Sequence, residues 1–349
     1  MLTTLSTIGS VIAAVLLLSV LITIHEFGHF IMARIFKIPV FEFSIGMGPC
    51  LFHTKKTKTR FSVRALPLGG YCAFDDDASI ASGDLNLYRY PIWKRCLVVL
   101  AGPLMNILTA LIVAFICIGI IGVPTVIPEV SSVSAGSPAE AAGLRADDCF
   151  ISVNGVDIQG NRDILAAVLT ENAGNKASII VDRKMELVEL KLVPRYNEEY
   201  GQYQIGVYLK TRYVPLPLWE SIKQSFSWVC SMIVLLLSFL GNLIFKGQGA
   251  SDVSGVVGTV AILSDTVKQG MWYDILSLSA FISINLGILN LIPFPALDGS
   301  KLLLYGVEAV TKKRLSIKLE TIVQIIGLAV FAVLFIALTF KDVLQLIGG

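Results

Sequence analysis

The chain has 349 residues, 54% of them hydrophobic and 15% charged, with a formal net charge of +2 and a mean hydropathy of +0.73. Soluble domains carry about 25% charged residues, so this balance excludes a soluble globule and points to an α-helical polytopic membrane protein. No basic run is long enough for a nucleic-acid surface, and the six scattered cysteines (Cys50, Cys72, Cys96, Cys117, Cys149, Cys230) include no C-x-x-C pair, which speaks against a zinc knuckle or a disulfide framework.

The first apolar segment, about 5–34, lacks the basic flank of a signal peptide and has the roughly 20-residue length of a retained spanning helix. It contains LITIHEFGHF at 21–30. The H-E-x-x-H spacing puts His25 and His29 on one helix face, where both imidazoles can bind one zinc ion. Glu26 beside them can take the proton of an activated water. Ionisable groups at bilayer depth are costly and mark functional sites, and two of the chain's three histidines fall in this one spacing. The third, His53, sits in the basic stretch HTKKTKTR and is expected to be exposed. A metzincin would place another histidine at position 35, which is Ile35.

The loop 34–64 carries Arg34, Lys37, Lys55, Lys56, Lys58, Arg60 and Arg64, so by the positive-inside rule it is cytoplasmic and the N-terminus is outside. Within it FEFSI and RFSVRAL alternate apolar and polar residues around a basic turn and read as a β-hairpin. Its edge, with Val63 on it, is a candidate to pair with an unwound substrate strand. Asp75, Asp76 and Asp77 lack the spacing of a calcium loop and read as a solvated turn. The second span, about 97–121, carries Asn106 in AGPLMNIL, a candidate for substrate bonding or for helix packing.

Residues 123–215 read as a small mixed α/β domain. Ser137, Pro138 and Glu140 form a capping box, Asn154-Gly155 signals a hairpin, Asn161 can cap a helix, and KASIIVDRKMELVELKLV reads as two strands. The pattern GSPAEAAGL followed by ISVNG resembles one PDZ domain of bacterial type.

Segment 219–245 begins amphipathically with Trp219, Glu220, Lys223 and Trp228, and its apolar core is about a dozen residues, short of a span. A crossing there would put Lys301, Lys312, Lys313, Arg314 and Lys318 outside, so the expectation is a segment lying on the outer surface or partly embedded, and about four spans. The last two are 274–297 and 321–340, with both termini outside. Pro293 and Pro295 stop the third span just before Asp298 in NLIPFPALDGS, and irregular backbone at that depth makes Asp298 the candidate third ligand. Asn285 and Asn290 are the polar residues nearest the break, able to bond substrate backbone or freed carbonyls. In the four-span topology the depths of His25 and Asp298 agree.

HEFGH, GPLMN, the PDZ-like insert and NLGILNLIPFPALDG together resemble the site-2 protease family of intramembrane zinc metalloproteases, in the order of the bacterial regulator-of-sigma-E subgroup with one PDZ domain. The resemblance covers nearly the whole chain. It implies Zn2+ held by His25, His29 and Asp298, Glu26 as general base, substrate-binding or site-shaping roles for Asn285 and Asn290, and a hairpin dipping into the membrane beside the site. The implied organisation is an N-terminal membrane core (1–122), a PDZ-like domain (123–215) on the outer face, and a membrane-associated helix with a C-terminal membrane core (216–349). The implied activity is endoproteolysis within single-span membrane proteins of the bacterial cell membrane, such as anti-sigma factors or signal-peptide remnants, after an upstream site-1-type protease. A zinc transporter or sensor and a non-catalytic PDZ adaptor are the alternatives. Ser300, Met47 and Cys72 depart from the family's usual residues and touch no implied ligand.

Overall fold

The computed structural model describes residues 2–54, 58–75, 86–172, 174–197, 202–249, 253–313 and 317–348. Lys55, Lys56, Asp76, Asp77 and Arg314, named above, lie outside the described residues. The chain separates into two compact units, residues 1–119 with 217–349 and residues 120–216.

Helix α1 (Leu2–Ile35) carries the histidines near its C-terminal end. Strands β1 (Glu42–His53) and β2 (Arg60–Ala73) follow, then helix α2 (Ile92–Ile116), which continues as a π-helical turn at Cys117–Ile121. Helices α1 and α2 cross with almost nothing between them. A Cβ added to Gly28 would fall 2.3 Å from the Ala101 carbonyl oxygen, so glycine is required for this approach.

The expected simple hairpin is corrected by the register. Each strand bends and pairs twice: residues 42–45 lie parallel to 60–63 and antiparallel to 70–73, while Phe52 and His53 pair with Val63 and Ser62. Val63 therefore has Ile45 on one side and Phe52 on the other and is interior to the sheet, not on an edge. The segment 69–73 instead runs along α1, with Gly69 against Ile22 and Gly70 beside Thr23. Alternation gives the faces of a strand but is blind to which half of a bent strand pairs with which.

The sheet unit contains β3 (Val123–Val133), α3 (Pro138–Ala141), β4 (Cys149–Val153), β5 (Val156–Asp157), α4 (Arg162–Glu171), β6 (Ala177–Arg183), β7 (Glu186–Leu192), β8 (Arg195–Asn197), β9 (Gln202–Gln204) and β10 (Val207–Val214). One sheet has the order β10-β3-β4-β6-β7 with β5 paired to β4, and β8 pairs with β9. The local signals act as expected. Ser137 Oγ accepts from Glu140 N at 3.2 Å, Asn161 Oδ1 accepts from Asp163 N at 2.8 Å, and Asn154 and Gly155 both take positive φ in the β4–β5 turn. Val130, Phe150, Val153, Ile158, Ile179 and Val181 are buried together at its centre.

The chain returns to the helical unit through α5 (Leu218–Lys246), α6 (Val256–Gln269), α7 (Trp272–Leu291), α8 (Asp298–Thr311) and α9 (Ile317–Gly348). Among the described residues five helices are long and apolar enough to cross a membrane, and α5 is one of them. Residues 219–245, expected to lie on the outer surface or to be partly embedded, fall in one continuous helix long enough to span, with Ser221, Ser225, Val229 and Leu236 buried along one face. Ser221 of α5 lies against Gly119, and Ser277 of α7 bonds Cys117, so both helices start at the same end of α2. Helix α6 lies between them in sequence, so a crossing by α5 need not reverse α7. Counting charges registers the sign of a loop, not a short helix that can bring the chain back. Asp342 of α9, 2% exposed, accepts from the backbone N–H groups of Gly255 and Gly258 at the start of α6, at 3.2 and 2.8 Å.

Candidate metal centre

Three elements far apart in sequence meet at the end of α1. His25 and His29 lie one turn apart on the face turned to α2, 5% and 7% exposed. Helix α7 stops at Leu291 because Pro293 and Pro295 remove backbone donors. The turn that follows puts Ala296 at φ +78° and starts α8 with Asp298 as its first residue.

His25 Nε2 and Asp298 Oδ2 are 3.0 Å apart, His29 Nε2 and Asp298 Oδ2 are 3.2 Å apart, and the two Nε2 atoms are 3.3 Å apart. Among the described residues this is the cluster of three that can hold a metal ion, its ligand atoms within 4.8 Å of one another. Zinc held tetrahedrally at about 2.0–2.1 Å spaces its nitrogen and oxygen ligands roughly 3.3–3.4 Å apart, so the triangle fits a zinc ion. Three electron-rich atoms facing one another this closely are otherwise poorly served by hydrogen bonding. His53, by contrast, is exposed on β1 beside Cys50 and apart from this cluster.

The surroundings orient each imidazole. The distal nitrogen of a metal-bound histidine ordinarily donates to a carbonyl or carboxylate, which leaves the other free to ligate. His29 Nδ1 lies 2.8 Å from the Val98 carbonyl, which fits that role. His25 Nδ1 faces Asn106 Nδ2 at 3.2 Å, while Asn106 Oδ1 is buried without a partner. Which end of an amide carries oxygen is assigned from its contacts. Turning this one over lets Oδ1 accept from His25 Nδ1–H and frees Nε2 for the metal. Asn106 is fully buried, and its carbonyl accepts from Ser283 Oγ at 2.8 Å. It therefore meets the histidine rather than open space.

Glu26 Oε2 accepts the backbone N–H of Cys72 at 3.1 Å, which ties the 69–73 edge of β2 to the carboxylate. Among the described residues, the ligand atoms that converge are those of His25, His29 and Asp298, and Cys72 is not one of this group. Asn290 Nδ2 donates to the Leu286 carbonyl of its own helix at 3.0 Å. Asn285 Oδ1 is buried without a partner.

Sequence reasoning missed Gly102. A Cβ there would lie 2.3 Å from His29 Nε2 and 2.9 Å from His25 Nε2, so α2 can pass the imidazoles only with hydrogen at this position. The glycine before proline in GPLMN was the available signal, but an absent side chain announces nothing until its neighbours are placed.

A family model described as Peptidase family M50 matches residues 13–334. The protein named "Putative zinc metalloprotease CA_C1796" in Clostridium acetobutylicum is 32% identical over 335 residues, which cover 96% of this chain and 97% of that one. Metalloprotease MmpA of Caulobacter vibrioides is 30% identical over 388 residues, covering 97% of each. Among solved structures, the PDZ domain of an SdrC-like protein from Listeria monocytogenes is 20% identical over 23% of this chain and 84% of its own, with a TM-score of 0.22.

Proposed function

The chain belongs to peptidase family M50 and is a multi-pass membrane zinc metalloprotease, and from that premise we propose that it hydrolyses peptide bonds inside the transmembrane segments of single-span membrane proteins. In this reading His25, His29 and Asp298 hold the zinc and Glu26 is the general base. The observation that carries it is the triangle of donor atoms, 3.0 to 3.3 Å on a side, buried at one end of a spanning helix with a carboxylate next to it.

Bound zinc supplies Lewis acidity, bringing the pKa of water toward about 7 and polarising a carbonyl. The rest is work for the protein. Glu26 takes a proton from the attacking water and returns it to the departing amine. Its Oε2 is held by Cys72 N–H, which leaves Oε1 to carry that proton. A helical substrate hides its carbonyls in hydrogen bonds and must first be opened. The edge of β2 at 69–73 runs past Glu26, so an unwound segment added there as a strand would lie beside the base. Asn285, with its unpartnered Oδ1, is the better placed of the two α7 asparagines to meet substrate, since Asn290 is engaged with its own helix.

Residues 1–122 and 216–349 form the membrane core in this reading. Residues 123–215 act as a PDZ-like domain on the outer face of the bacterial cell membrane, meeting substrates already trimmed by an upstream site-1-type protease. Anti-sigma factors and signal-peptide remnants are the candidate substrates.

Glu26→Gln is the test. The variant is expected to keep its zinc, measured by metal analysis of the purified protein, and to lose cleavage of a model transmembrane substrate in proteoliposomes. Retained cleavage would remove Glu26 as the base.

A further inference from the structure

Arg95, near the start of α2, is 3% exposed and makes a two-pronged contact with one carboxylate. Nη1 donates to Glu308 Oε2 at 2.9 Å and Nη2 to Glu308 Oε1 at 2.7 Å. Nε donates to the Tyr90 carbonyl at 3.1 Å. The rings of Tyr88 and Tyr305 flank the guanidinium, their centroids 5.0 and 4.8 Å from its central carbon. A forked ion pair of this kind, desolvated and stacked between aromatic rings, is directional in a way a surface pair is not.

What it joins matters more than its strength. Arg95, Val98, Gly102 and Asn106 are spaced by three, four and four residues and lie on one face of α2. Val98 and Asn106 meet the two imidazoles, and Gly102 clears space for them. Glu308 and Tyr305 belong to α8, whose first residue is Asp298. One face of α2 thus sets both histidines directly and Asp298 at a distance.

The near end of α8 follows a tight turn. No side chain caps it, Ala296 before it sits at φ +78°, and Gly299 rests on the carbonyls of Leu291 and Ile292, where an added Cβ would come within 2.3 Å. Ten residues on, about 15 Å along the axis, the Arg95–Glu308 joint sets the angle. Turned about that joint, a tilt of α8 by about 4° would carry Asp298, at the other end of this length, about 1 Å, and such a displacement can cost on the order of 100-fold in rate.

We propose that the Arg95–Glu308 joint positions Asp298 as a ligand, with α2 serving as the common template for both halves of the metal site. The proposal rests on the reading of Asp298 as third ligand, and the experiment separates the two. In full-length protein in detergent, zinc affinity is measured by chelator competition, and the site is probed by the visible absorption of the cobalt-substituted protein. Arg95→Lys keeps the charge but loses the fork, and Glu308→Gln keeps the shape. Each is expected to weaken zinc binding about tenfold, to alter the cobalt spectrum, and to add no further loss in an Asp298→Asn background. Wild-type affinity and spectrum in Glu308→Gln, with Asp298→Asn impaired, would overturn the joint's role. So would losses that add in full to that of Asp298→Asn. Wild-type affinity in Asp298→Asn would instead overturn the ligand reading, and the joint with it. Glu308→Gln keeps the test decisive should Arg95→Lys fail to fold.

Discussion

Val130, Phe150, Val153 and Ile179 in the sheet unit are at most 1% exposed, whereas Val333, Val234 and Ile336 in the helical unit are 62–67% exposed. The polar groups are distributed the other way. The helical unit buries His25, His29, Arg95, Asn106, Ser283 and Asp342, each with a hydrogen-bonding or ion-pair partner. The sheet unit withdraws apolar area from water, at about 25 cal/mol per Å². Helices in lipid gain nothing from that term and associate through close packing and polar contacts. The candidate metal centre sits in the unit whose helices depend on close packing and polar contacts to associate.

The sharpest way to break the helical half of this comparison is Gly102→Ala. The added methyl would lie 2.3 Å from His29 Nε2. Shifting an imidazole by about 1 Å predicts a loss of at least roughly 100-fold in kcat/KM. Zinc content should fall in parallel while the helical circular dichroism is unchanged. Wild-type activity would show that α2 can back away from α1.

A matched pair sharpens the comparison next. Val333, near the middle of a candidate span in α9, and Met185, in the β6–β7 turn, are 67% and 96% exposed. Arginine at Val333 should cost about 2.5–3.5 kcal/mol of insertion, read as a reduced share of chains in the alkali-resistant membrane fraction. Arginine at Met185 should change stability by less than about 0.5 kcal/mol, read from the urea midpoint. Equal effects would mean that the exposed faces of the two units meet the same solvent.

Legibility in the sequence follows the same division. The cluster of His25, Glu26, His29 and Asp298 stood out because ionisable residues are rare in apolar segments and prolines mark where the last of these helices breaks. The caps at Ser137 and Asn161 and the Asn154-Gly155 turn were legible because they depend on neighbours within four residues. The bent pairing of β1 and β2 was not, since one strand serves two partners. Neither was the joint between Arg95 and Glu308, 213 residues apart, because a single arginine at a helix start looks like any positive-inside residue. Asn106 was legible as polar in a span, but its partner His25 was not.

Asp148 tests the sheet half, where a buried charge is the exception. Fully buried, it accepts from Arg183 Nε at 2.7 Å, from Arg183 Nη2 at 2.7 Å and from Arg145 N at 2.8 Å. Burial alone would raise its carboxyl, but the bonds from Arg183 and Arg145 outweigh burial and hold it below the usual aspartate range. A depressed acid stabilises the fold at pH above its ordinary value, near about 3.9. That contribution is lost as pH falls from there through the lower folded value. Asp148→Asn keeps the acceptor oxygen and loses the charge, so about 1–3 kcal/mol should disappear at neutral pH. The urea midpoint of the variant should then vary less with acidification than that of the wild type. Parallel pH curves would mean that Arg183 is held by geometry alone, and that the sheet unit tolerates a buried carboxylate without drawing stability from its charge.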